Sequence, residues 1–136
     1  MDFSIVQKAL KDCSLFEGLD QGQLDLLAMN ADVMEFSGDE IVYRQGDDAD
    51  GSFALLVSGK LEVITQKGYE LGTLCAGEII GEVGTISQRG KRTVTVKAVE
   101  PATLLQWNLQ DIGDASPSLL RKLKDLAWRR IKNWNE

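Results

Sequence analysis

The residues in this chain best suited to chemistry lie between Gly77 and Ala98. The stretch Gly77-Glu78-Ile79-Ile80-Gly81-Glu82-Val83-Gly84-Thr85-Ile86 is followed shortly by Gly90-Lys91-Arg92-Thr93-Val94-Thr95-Val96-Lys97-Ala98. Gly81 and Gly84 flank a carboxylate in a segment able to open a short helical turn, and the free backbone N–H groups of such a turn suit an anion. Arg92 follows Glu82 by ten residues and opens an expected strand, Val94–Val99. A planar guanidinium is the side chain best matched to a phosphate, through paired charge-assisted hydrogen bonds. A carboxylate only accepts hydrogen bonds and so suits sugar hydroxyls. One acid for a ribose and one arginine for a phosphate describe a nucleotide site without a catalyst.

The remaining composition points away from an enzyme. Among 136 residues there is no histidine, which removes the Ser-His-Asp triad, histidine zinc sites and the usual acid–base residue near neutral pH. Cys13 and Cys75 have no metal-like spacing; Cys13 falls on an apolar helical stripe and Cys75 in a strand-like run, so both are expected as small core residues. Asp47, Asp48 and Asp50 lack the glycine and terminal glutamate of a calcium loop and read as a solvated turn. Neither catalytic residues nor a metal nor a cofactor is expected.

Charge is unevenly spread. Residues 1–116 carry 9 basic and 19 acidic side chains, a balance of −10, whereas residues 117–136 carry 6 and 2, a balance of +4. An acidic body repels DNA, and no helix-turn-helix pattern follows it. No apolar run approaches the roughly 18 to 20 residues needed to cross a bilayer. The opening Met1-Asp2-Phe3-Ser4 lacks the basic region of a signal peptide. The expectation is a soluble, cytoplasmic protein that binds neither DNA nor membrane.

The elements that must position the site change character along the chain. Ile5, Val6, Ala9, Leu10 and Cys13 fall near one helical face, and Asp20-Gln21-Gly22-Gln23 has the form of a capping box opening a second short helix. From Val33 onward short β-branched and aromatic runs, Ile41–Tyr43, Phe53–Val57, Leu61–Thr65, Val94–Val99 and Thr103–Trp107, are punctuated by glycine, with Lys67-Gly68 a hairpin tip. Helical periodicity returns at Pro117, capped by Ser116, where Leu120, Leu123, Ala127, Ile131 and Trp134 form an a/d-like stripe. The opposite face, with Arg121, Lys122, Lys124, Arg129, Arg130 and Lys132, is expected in solvent. The fold class is mainly β with flanking helices: a jelly-roll-like β-roll (double-stranded β-helix). A single domain is expected over 1–136, with N-terminal helices at 1–32, the roll at 33–109 and a C-terminal helical segment at 110–136.

These features resemble the cyclic-nucleotide-binding domain family, of which the catabolite activator protein and the regulatory subunits of protein kinase A are members. The resemblance opens at Ser14-Leu15-Phe16-Glu17-Gly18-Leu19 and runs through Gly38-Asp39-Glu40-Ile41, Tyr43-Arg44-Gln45-Gly46-Asp47, Phe53–Gly59 and Lys60-Leu61-Glu62-Val63. It is most specific at Gly81-Glu82 and Arg92-Thr93, which match the family's phosphate-binding cassette. Val94 stands where the family prefers alanine, and Thr85 where it prefers leucine.

The resemblance implies a sensor of cyclic AMP or cyclic GMP and no catalysis. Glu82 would accept the ribose 2′-hydroxyl and Arg92 would pair with the cyclic phosphate. Gly81, Val83, Gly84, Thr93 and Val94 would line the cradle. Trp128 or Trp134 would cap the base. Ligand binding would be relayed through the C-terminal helix, which could also carry a homodimer or partner contact. The alternative is a degenerate roll that dimerises or binds a protein without nucleotide.

Overall fold

The computed structural model describes residues 3–48, 51–65, 67–81, 91–109 and 117–134, with backbone alone at 117 and 131–134. Two helices, α1 (Phe3–Asp12) and α2 (Gln21–Asn30), are joined by a 3-10 turn at Ser14–Phe16. The strands follow: β1 (Asp32–Phe36), β2 (Ile41–Tyr43), β3 (Ser52–Ser58), β4 (Lys60–Ile64), β5 (Glu70–Cys75), β6 (Ile79–Ile80), β7 (Thr95–Ala98) and β8 (Ala102–Asn108). Helix α3 (Pro117–Trp134) comes last. The strands form two antiparallel sheets, ordered β1-β8-β3-β6 and β2-β7-β4-β5. This is the expected β-roll with flanking helices.

The first sheet is a middle layer, apolar on both faces, and its alternation divides the core in two. Phe53, Leu55, Ile79, Leu105 and Trp107 face the helices, where they join Leu10, Phe16, Leu27, Leu119 and Leu123. Their neighbours Ala54, Leu56, Ile80 and Leu104 face the second sheet and meet Leu61, Val63, Val94, Val96 and Ala98. Double-sided burial explains why β3 reads as an unbroken apolar run rather than an alternating one. Trp107 closes the helical side: its indole donates to the Leu27 carbonyl at 2.8 Å, and its ring meets Phe16 edge-on at 5.6 Å. The connection between β3 and β4 is held tight by Gly59 (φ 95°), where a Cβ would stand 2.4 Å from the Pro101 carbonyl.

Local signals at the N-terminal side hold. The Asp20 carboxylate accepts from Gln23 N at 2.8 Å while the Gln23 side chain accepts from Asp20 N at 3.1 Å, the reciprocal capping box. The Lys67-Gly68 tip joins β4 to β5, with Gly68 N donating to Thr65 O. Strands β1, β5 and β6 have no counterpart among the apolar runs. The residues of β1 are exposed or half-exposed throughout, β5 buries only Leu74, and β6 has two residues.

Four expectations need correction. Cys75 is exposed, since it points outward from β5 next to Leu74; Cys13 is buried, and desolvation pushes its thiol pKa up. Ile5 lies 49% exposed, off the buried face of α1 that carries Val6 and Leu10. On α3 the buried face is Leu119, Leu123, Ala127 and Arg130, rotated from the expected stripe, and Leu120 is only partly covered. Arg130 is 9% exposed, not solvated, and its guanidinium donates to the Ile79 carbonyl. Lys122 likewise donates to the Glu17 carbonyl, so cations as well as leucines fasten this helix. Ser116, Ile131 and Trp134 as cap and stripe residues lie outside the described residues or side chains.

Candidate functional site

Arg92 is the centre of the site. It lies in an extended link that precedes β7 by three residues, not in the strand itself. Its backbone is pinned to the loop after β2: Arg92 N donates to Asp47 O at 2.8 Å, and Gly46 N donates to Arg92 O at 2.9 Å. Beside it an ion pair joins Lys91 to Asp48, the aspartate turn's contact with this link. One residue beyond the link's end, Thr95 accepts from Gln45 N through its hydroxyl at 3.0 Å, which fixes the same loop from the other side.

The side chain of Arg92 runs inward and is 6% exposed. A buried cation is tolerated only when it is hydrogen-bonded or paired. Nη1 donates to Gly81 O at 2.9 Å and to Ser52 O at 3.3 Å, while Nη2 donates to the Ser52 hydroxyl at 3.0 Å and its carbonyl at 3.3 Å. The face of Tyr43 lies 3.9 Å from the guanidinium carbon. These acceptors and this ring are themselves neutral, and together they orient the guanidinium. Four separated stretches of chain meet here: the ends of β2 and β6, the start of β3, and the link before β7.

Gly81 is required by geometry. Its φ is +85°, and a Cβ would stand 2.9 Å from Arg92 Nη1 and 3.1 Å from the Tyr43 hydroxyl. Both facts exclude an ordinary side chain. Of the other expected site residues, Thr93 is exposed beside Arg92, while Val94 is 9% exposed and belongs to the core between the sheets. Glu82, Val83, Gly84 and Thr85 lie outside the described residues. Trp128 is 64% exposed on α3, off the helix's buried face, and it takes no part in the Arg92 cluster. The Trp134 side chain is outside the described set.

Two members of the cluster carry no signal of their own in the sequence. Tyr43 sits within a quoted motif yet could equally be core, and Ser52 acts partly through a main-chain carbonyl, which residue type cannot reveal.

Comparison with known proteins decides the family. The family model described as the cyclic nucleotide-binding domain matches residues 33–115. The chain belongs to the cyclic nucleotide-binding domain family. It is 32% identical over 128 residues to a cyclic nucleotide-gated cation channel protein of Drosophila melanogaster, covering 93% of this chain and 18% of that protein. The catabolite activator protein of Thermus thermophilus is similar in structure with a TM-score of 0.73 and 28% identity, over 87% of this chain and 58% of that one. The regulatory subunit of a cAMP-independent protein kinase A from Trypanosoma brucei matches with a TM-score of 0.81 over 98% of this chain and 47% of that one. Its 16% identity makes that likeness one of fold. The chain spans less than half the length of the curated relatives it matches. The cyclic nucleotide-binding domain is typically regulatory rather than catalytic. No helix among the described residues is long and apolar enough to cross a membrane.

Proposed function

We propose that this chain is a regulatory domain that binds cyclic AMP or cyclic GMP at Arg92 and relays binding through α3. The observation that carries the reading is the guanidinium of Arg92, buried and oriented by Ser52, Gly81 and the ring of Tyr43. A charge fixed in this way needs little reorganisation when a phosphate arrives. Glu82 takes the ribose 2′-hydroxyl, the Gly81–Gly84 amides and the Thr93 hydroxyl surround the phosphate, and Trp128 or Trp134 covers the base. Trp128 is exposed on the packed helix and outside the Arg92 cluster, so capping by Trp128 goes with a shift of α3, which is the movement a relay needs. Thr93 beside the arginine is compatible with either nucleotide. The domain spans 1–136 and works in the cytoplasm, with α3 offering the contact to a second copy or a partner.

One observation favours a second reading. Both terminal nitrogens of Arg92 donate to protein acceptors, as they would in a roll that keeps this arginine for its fold and serves as an interaction module without nucleotide. Thermal denaturation separates the two. A ligand at a hundredfold excess over its Kd adds about 2.7 kcal/mol of stability, a rise of roughly 5–15 °C for a domain of this size. The sensor reading expects that rise with cyclic AMP or cyclic GMP; no rise with either nucleotide supports the interaction module.

A further inference from the structure

Tyr43 ends β2, the edge strand of the second sheet, and the pairing of β2 with β7 slips at that point. Ile41 lies opposite Lys97, but Tyr43 lies opposite Val96, so one extra residue is taken up between them. Such a bulge bends an edge strand and re-aims the side chain beyond it. Here the re-aimed side chain is a phenol ring, set 3.9 Å from the Arg92 guanidinium carbon and closed against Gly81 by its Cε2 edge and hydroxyl. We infer that Tyr43 is the positioning residue of the anion site, holding the Arg92 guanidinium in its ligand-ready plane through the face of its ring. The inference rests on the reading of Arg92 as the phosphate-binding group.

The chemistry of the position explains the residue type. The hydrogen bonds to Ser52 and Gly81 hold the guanidinium by its terminal nitrogens, and such bonds act close to its own plane. A ring across one face opposes tipping out of that plane. A carboxylate in place of Tyr43 would neutralise the charge that the ligand needs. An aliphatic side chain would bury the charge and return nothing. An aromatic face stabilises the cation electrostatically and leaves its charge intact. Glycine at 81 is part of the same device, because any larger residue would occupy the space shared by the ring and the guanidinium.

The test is calorimetric titration of cyclic AMP and cyclic GMP into the full chain and its Tyr43 variants. Tyr43→Leu keeps the apolar bulk and removes the π-face, and should weaken binding by about 5- to 30-fold. Tyr43→Phe keeps the face and should lose less than about threefold. In the ligand-free protein, the Arg92 side-chain N–H resonances should move downfield in Tyr43→Leu and hold in Tyr43→Phe, because only a stacked ring shields them. Should Tyr43→Leu fail to fold, fluorinated phenylalanines at position 43 weaken the ring's quadrupole at nearly constant shape, and affinity should fall stepwise with fluorine number. Equal affinity in wild type and Tyr43→Leu, or no trend along the fluorine series, overturns the inference alone. A folded wild type that binds neither nucleotide overturns the parent reading and this one together.

Discussion

Two buried arginines donate to carbonyls within and just after the same two-residue strand, and they differ in almost everything else. Arg92 donates to Gly81 O just after β6; Arg130 donates to Ile79 O within it. Arg92 is built in from four stretches of chain, with a hydroxyl, two carbonyls and an aromatic face around it. Arg130 comes from a single terminal helix and arrives beside Leu119, Leu123 and Ala127 on that helix's packed face. The first arrangement commits many elements to the orientation of one charge, which is what recognition requires. The second fastens a helix to the roll. The difference teaches that burial of a cation does not by itself mark a binding site; the number of independent elements that fix its orientation does.

The comparison breaks if the two residues respond alike. Arg92→Ala should lose about 2–5 kcal/mol of cyclic-nucleotide binding, by analogy with buried charge pairs at interfaces, while the far-UV circular dichroism of the roll is retained. Unchanged affinity on calorimetric titration would remove Arg92 from the site. Arg130→Met keeps the packing volume and deletes the charged hydrogen bond, so it should cost about 1.5–3 kcal/mol of stability in urea denaturation. Its affinity should change far less than that of Arg92→Ala. A loss of binding in Arg130→Met equal to that in Arg92→Ala would mean that β6 transmits strain between the two, and that the helix is part of the site.

The same pair shows how much the sequence reveals. Arg92 is legible because Gly81-Glu82 and Arg92-Thr93 stand at a distinctive spacing, and because a guanidinium has few alternatives as a phosphate group. Arg130 is one of six basic residues on a helix that otherwise reads as amphipathic, and its partner is a main-chain carbonyl, which every residue possesses. Elements follow the same rule. The runs of β3, β4, β7 and β8 are readable because the roll buries them, and that of β2, only half-buried, because it is β-branched and aromatic, whereas β1 and β5 expose most of their length and β6 is too short for any period. Periodicity misplaces the α3 stripe because Leu119 and Leu120 are adjacent leucines, so two registers fit the apolar pattern and only the arginine's contact with β6 separates them. Cys75 misleads for a related reason: in a sheet with one open face, its strand neighbour Leu74 takes the buried side.

The central claim is that the Arg92 cluster receives the phosphate of a cyclic nucleotide, and it is tested most directly by titrating cyclic AMP and cyclic GMP into the folded wild-type chain by calorimetry. The account predicts saturable heat with at least one of the two, at one site per chain, and markedly weaker binding of the same nucleotide as its open 5′-monophosphate, whose extra charge and freed ribose do not fit a cradle for a cyclic monoanion. Absence of saturable heat with both nucleotides, from protein that is folded by circular dichroism, would contradict it.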